Sequence, residues 1–168
     1  MYGNNHRAEL VTKPSQVYGT VVVGEIEMQG ELWRHLVPHF EAGLVKGLRE
    51  SKVFAKTIAP GSESVPPEAI IVSGKIINVD EGSAAARFFI GFGAGRAKAK
   101  GVFEIHDSNG VVLARFGARE AYSGGAGIGG ASFVSMEQLM SKLGESTAGS
   151  VVRWSKGESL KPPREDSL

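Results

Sequence analysis

A chain of 168 residues, 42% of them hydrophobic, has material for one domain with a buried core and too little for two. The 19 Lys and Arg against 18 Asp and Glu leave a net charge of +1, so no global field exists to hold a nucleic acid or an anionic membrane, and any basic site must be local. The absence of cysteine excludes disulfides, thiolate metal sites and a cysteine nucleophile, and no apolar run approaches the roughly 20 residues of a membrane-spanning helix.

Residues 1–15 are polar, lack the apolar core of a signal peptide and end in Lys13-Pro14-Ser15, which reads as a mobile lead-in. The β-branched run from Val17 to Val23, bounded by Gly24, predicts a first strand buried on at least one face. From Glu31 to Ser51 the residues Leu32, Leu36, Phe40, Leu44 and Leu48 recur at every fourth position, so they line one side of a helix that faces the sheet. Pro38 has no N–H and crowds the turn before it, which predicts either a kink there or a helix whose regular part starts near it. His35 and His39 share a face at metal-ligand spacing. Leu36-Val37-Pro38 between them offers no further ligand, and the two read as exposed histidines rather than a metal site.

Val53–Ile58 is expected as a short edge strand, followed by a loop through Pro60-Gly61 and Pro66-Pro67. The run Ala69–Val79 is β-branched and apolar on both alternating sets, which suits a central strand. In the strand from 97 to 106, Ala97, Ala99, Gly101, Phe103 and Ile105 alternate with Lys98, Lys100, Val102, Glu104 and His106, giving one apolar and one mostly polar face. His106 reads as the polar-face residue that ends it. Asn109-Gly110 is the preferred pair of a type I′ hairpin. Pairing Ser108 with Val111 sets Phe103 opposite Phe116 and Glu104 opposite Arg115. A capping box at Ser135 and Gln138 opens a second helix whose apolar stripe is Met136, Leu139, Met140, Leu143, Thr147 and Val151. Gly144 and Gly149 either weaken that helix or let a neighbour approach closely. The tail from Lys156, with Pro162-Pro163, reads as disordered.

Glycine makes up 23 residues, about twice the usual share of roughly 7%, and the excess lies between Gly91 and Gly130. Gly91-x-Gly93-x-Gly95 is followed by a strand, whereas a dinucleotide fingerprint needs a helix there, so no nucleotide cofactor is expected. If the strands on either side are antiparallel, this loop and the one at Gly124–Gly130 emerge at the same end of the sheet. Arg87, Arg96 and Arg119 would then surround many backbone N–H groups, a seat for an anionic ligand or a partner segment. Phe88-Phe89-Ile90-Gly91-Phe92 either inserts into a partner's pocket or a membrane surface, or packs under the second helix. No nucleophile, base and orienting group converge, so the chain is expected not to be an enzyme.

The run from Asp80 through Arg87-Phe88-Phe89-Ile90-Gly91-Phe92-Gly93-Ala94-Gly95 to Lys98, with the hairpin around Asp107-Ser108-Asn109-Gly110, resembles a bacterial domain-of-unknown-function family, the one numbered forty-four ten. The likeness extends from about Val17 to Val152. It implies a small α/β domain similar in build to the ligand- or partner-binding domains of envelope assembly proteins, without catalytic residues to carry over. Members look like envelope lipoproteins with a signal peptide and a lipidated cysteine. Neither is present here, which leaves two expectations: periplasm or envelope with a leader already removed, or cytoplasm.

The reading as a whole is a single α+β domain over residues 16–155, with residues 1–15 and 156–168 outside it. A mainly antiparallel sheet of four to five strands carries two helices, near 31–51 and 135–154, on one face. Its expected role is an interaction or assembly module whose partner is another envelope protein, with Arg87, Phe88, Gly91, Phe92, Gly93, Gly95 and Arg96 as candidate contacts. The alternative is a small anionic-ligand site at Arg87 and Arg96. No metal, cofactor or nucleic acid is expected, and the oligomeric state is left open.

Overall fold

A computed structural model of the chain describes residues 11–62, 64–81, 97–121 and 135–160. Strand β1 (Thr20–Met28) is followed by a 3-10 turn (Arg34–Leu36), helix α1 (Val37–Ser51), β2 (Lys56–Ile58) and β3 (Ile70–Asp80). Then come β4 (Lys98–Asp107), β5 (Val112–Ala121) and helix α2 (Met136–Ser155). The sheet order is β2-β1-β3-β4-β5.

The expectation of a mainly antiparallel sheet is corrected: the sheet is mixed. β1 runs parallel to both β2 and β3, whereas β3–β4 and β4–β5 are antiparallel. The cause lies in the connections. Helix α1 carries the chain back along the sheet before β2, and the loop through Pro66-Pro67 does the same before β3, so all three strands start from one side.

The first strand also runs further than expected. Gly24 does not end it but sits at a bulge, where the register with β3 shifts between Val23 and Ile26, and the strand continues through Glu25 and Glu27 to Met28. Pro38 falls in the first turn of α1, where a missing N–H costs nothing, so the regular helix starts beside it. Leu36, Phe40, Leu44 and Leu48 are all fully buried, but Leu32 lies ahead of the helix and is 74% exposed.

Both helices cover the same face. Val21, Val23, Ile70, Val72, Ile76, Phe103 and Phe116 from the sheet meet Phe40, Leu44, Leu139, Leu143 and Val151 from the helices in one core. Phe103 is its centre, stacked on Phe40 at 5.2 Å between ring centroids and tilted against Phe116 at 5.9 Å. Trp154, at the end of α2, stacks on Tyr18 and donates its indole N–H to the Thr12 carbonyl at 2.7 Å, which ties the start of the described chain to the core.

The two helices touch backbone to backbone. Gly43 of α1 faces the Ser141 carbonyl, and Gly144 of α2 faces the Phe40 carbonyl and the Leu44 nitrogen; a Cβ at either would overlap those atoms. Gly144 therefore serves close approach, and Gly149 has nothing near it. The capping box forms as expected: Gln138 N–H donates to the Ser135 hydroxyl and Ser135 N–H to the Gln138 side chain.

The β4–β5 hairpin has the expected facing pairs but a different turn. Phe103 lies opposite Phe116, and Glu104 opposite Arg115. However, Asn109 has a negative φ and only Gly110, at φ +84°, is left-handed, so the turn is not type I′. Asp107 closes a three-residue loop instead: its N–H donates to the Val111 carbonyl, and its carboxylate accepts from Asn109 N–H and Val111 N–H, each at 2.9 Å. A second shift between Ile105 and His106 then restores the register.

Candidate functional site

Among the described residues, one face of the sheet has no helix over it. Apart from a small apolar group of Val22, Ala69 and Ile71 at one end, it is a trough of about 630 Å³ whose lining mixes the charged and polar Glu25, Glu27, Lys75, Asn78, Lys100 and Glu104 with Ile77 and Val102. The alternation along each strand puts these side chains there: every second residue of β1, β3 and β4 faces away from the core. Glu104 accepts from Arg115 at 2.8 Å across the β4–β5 pair, on side chains that are only about one-third exposed.

The end of the sheet where the glycine-rich segments attach is fixed by register. Asp80, the last residue of β3, pairs with Lys98, the first of β4, and Lys98 pairs with Ala121, the last of β5. Segments 82–96 and 122–134 therefore leave the sheet at one end, from three adjacent strands, as the antiparallel reading requires. The turn after β1 reaches the same end, where Gln29 N–H donates to the Ile76 carbonyl. Arg87, Phe88, Gly91, Phe92, Gly93, Gly95 and Arg96 all lie outside the described residues. Arg119 is described: it is exposed on β5, directly opposite Lys100.

A smaller hollow at this end is lined by Asn78, Lys98, Ala99, Lys100, Arg119, Glu120 and Ala121. Sequence reasoning named Arg119 but not Lys98 or Lys100, although their alternation with alanine already placed both on the polar face. Glu120 points to the opposite side and accepts from the Ser146 hydroxyl. The corner thus concentrates cationic donors, chemistry suited to carboxylate or phosphate groups.

His35 and His39 do not share a regular helical face, because His35 is in the 3-10 turn and His39 in the first turn of α1. Both lie near the start of α2. There the Glu137 carboxyl is held below the usual carboxylate range, first by its hydrogen bond to its own backbone N–H, then by the Ser135 hydroxyl and the charges of His39 and His35. Among the described residues no three His, Asp or Glu side chains gather to hold a metal ion. Among them, too, no helix is long and apolar enough to cross a membrane.

Residues 8–126 match the profile of the family described as a domain of unknown function, DUF4410. The chain belongs to the DUF4410 family. The match takes in all five strands and α1, with both the open face and the end where the glycine segments attach. No curated protein matches this DUF4410 chain in sequence. Among solved structures it resembles PelC from Paraburkholderia phytofirmans, a dodecamer, with a TM-score of 0.56 and 16% identity over 89% of this chain and 95% of that one. It also resembles a Xanthomonas campestris protein of the DUF330 family, with a TM-score of 0.52 and 13% identity over 87% of this chain and 92% of that one. At such identities the likeness is one of fold.

Proposed function

We propose that this DUF4410 chain is a non-enzymatic interaction and assembly module of the bacterial cell envelope, placed in the periplasm and working as an oligomer. The observation that carries the reading is the fold shared with PelC over nearly the whole of both chains, in a protein whose structure is a dodecamer. The architecture supports it: two helices cover one face of the sheet, while among the described residues the other face carries no helix. The test is the mass of the purified chain in solution, by light scattering across about a hundredfold range of concentration. A discrete multiple of 17.8 kDa supports assembly, and 17.8 kDa throughout refutes it.

A second reading, an anionic-ligand site at the glycine-segment end, is favoured by one observation: Lys98, Lys100 and Arg119 stand where both segments attach. Thermal unfolding against inorganic phosphate, nucleotides and sugar phosphates tests it, with an Arg87→Ala, Arg96→Ala double variant as control. A ligand at a hundredfold over its dissociation constant adds about 2.7 kcal/mol to the folded state. A shift lost in the double variant supports the site, and no shift with any compound removes it.

A further inference from the structure

Helix α1 carries a second stripe beside its buried one. Pro38, Ala42 and Val45 lie on one flank and, with Ala59 and Pro60 just beyond β2, give a groove of about 660 Å³ an apolar lining. Four charged residues share that lining. Two of them are accounted for: Lys46 is bound to Glu145 at 2.9 Å, and Glu50 lies in the field of Lys46. The other two, Glu41 and Arg49, take part in no ion pair among the described residues.

A half-buried carboxyl without a counter-charge is costly to ionise, and burial holds Glu41 above the usual carboxylate range. The groove therefore lacks a cation at one end and an anion at the other. Glu41 and Arg49 are eight residues apart on α1, about 12 Å along its axis. Four residues of extended chain cover about the same length, roughly 13 Å.

The strand beside the groove has a free edge. β2 ends the sheet and pairs only with β1 among the described residues. Lys56 N–H donates to the Gly19 carbonyl at 3.1 Å, so Lys56 turns its backbone groups toward β1. Backbone groups alternate sides along a strand, and those of the next residue, Thr57, point outward. Neither the N–H nor the carbonyl of Thr57 has a partner among the described residues. With only three residues in β2 and Pro60 soon after it, pairing there is brief, and side-chain contacts in the groove must supply the rest.

Resting on the interaction reading above but not on self-assembly, we propose that this groove takes a short extended segment of a partner polypeptide. The segment adds to the edge of β2 at Thr57 and lies along the flank of α1. Its side chains toward the helix are a cationic residue at Glu41, an apolar one on Val45 and Ala42, and an acidic one at Arg49. Backbone pairing at the edge gives attachment, and the alternate side chains give selectivity.

The test uses the purified full chain and two fluorescein-labelled peptides, Thr-Lys-Thr-Val-Thr-Glu-Thr and its reverse, Thr-Glu-Thr-Val-Thr-Lys-Thr, so that either strand direction is served. Fluorescence anisotropy should show saturable binding of one of them below about 1 mM, and exchange of the Thr57 amide hydrogen should slow when it is bound. Replacing the peptide's lysine by glutamate should weaken binding on the order of fivefold, a preference that Glu41→Gln abolishes. Ala42→Tyr fills the groove from an exposed position, and Thr57→Pro removes the outward donor on an edge strand that tolerates proline. Each should remove binding while circular dichroism shows the parent's fold. No binding of either peptide, or binding that survives Ala42→Tyr, overturns the proposal. A wild-type oligomer whose mass falls with Ala42→Tyr has a second copy in the groove, which overturns the proposal and keeps the assembly reading. A chain of 17.8 kDa at every concentration that still binds the peptide supports the groove and removes the assembly reading alone.

Discussion

Replacing Gly144 by Ala adds one methyl group where α1 and α2 touch. In an exposed helix the same change would stabilise by about 1 kcal/mol, since glycine is the poorer helix former. At Gly144 the new Cβ would overlap the Phe40 carbonyl oxygen and lie 2.6 Å from the Leu44 nitrogen. Both are backbone atoms inside a helix, so no side-chain rotation relieves the clash and the helices must separate. Overpacking of this kind costs about 1–3 kcal/mol or more, and the helix-forming gain offsets only part of it, leaving a net loss of about 2 kcal/mol. For a chain of this size that lowers Tm by about 4–8 °C. Gly149→Ala is the matched control: the residue is exposed, in the same helix, with no atom within 4 Å of its Cβ position. It should raise Tm by about 2–4 °C. Thermal and urea unfolding of the two variants beside the parent measure both. A Gly144→Ala variant as stable as Gly149→Ala would refute the backbone contact between the helices.

Three other outcomes follow from single contacts. Gly110→Ala places a side chain at φ +84° and should cost about 1–2 kcal/mol in urea unfolding, whereas Asn109→Ala, at negative φ, should stay within about 0.5 kcal/mol; equal losses would restore the type I′ turn. Trp154→Phe keeps an aromatic ring against Tyr18 but removes the donor to the Thr12 carbonyl, for a loss of about 1–2 kcal/mol, and unchanged stability would show that contact to be idle. Burial raises the Glu41 carboxyl above its usual range, so its ionised form is disfavoured in the folded state. The stability tied to the protonated form is complete below the unfolded value and is lost as pH rises through the folded one. Glu41→Gln should therefore be the more stable protein at neutral pH, with the difference vanishing in acid; a difference that grows in acid would reverse the assignment.

The local elements were legible wherever one rule decided them. Four-residue spacing placed Leu36, Phe40, Leu44 and Leu48 on the buried side of α1, and alternation placed Phe103 and Ile105 in the core and Lys98 and Lys100 outside it. The facing pairs of β4 and β5 followed from an aromatic match and a charge match that agree on one register. What failed needed information from further along the chain. Gly24 looks like a terminator in isolation, but strand β3 supplies the partner that carries β1 past it as a bulge. The turn type was settled by Asp107, whose carboxylate holds two N–H groups, rather than by the Asn-Gly pair. An apolar run such as Ile70–Val79 declares a central strand without naming its neighbours or their direction, so the parallel pairing with β1 stayed hidden. The same gap hid the trough: Glu25 and Lys100 are 75 positions apart, and only the strand order brings both into its lining. At the glycine-segment end, the shared point of departure was legible from the expected antiparallel pairing, while Lys98 and Lys100 had been read only as the polar side of a strand.

The central proposal is that this DUF4410 chain works by joining copies of itself, and the particle mass across about a hundredfold range of concentration tests it most directly. A discrete multiple of 17.8 kDa that persists as the chain is diluted is the predicted result. A mass of 17.8 kDa at every concentration would contradict it.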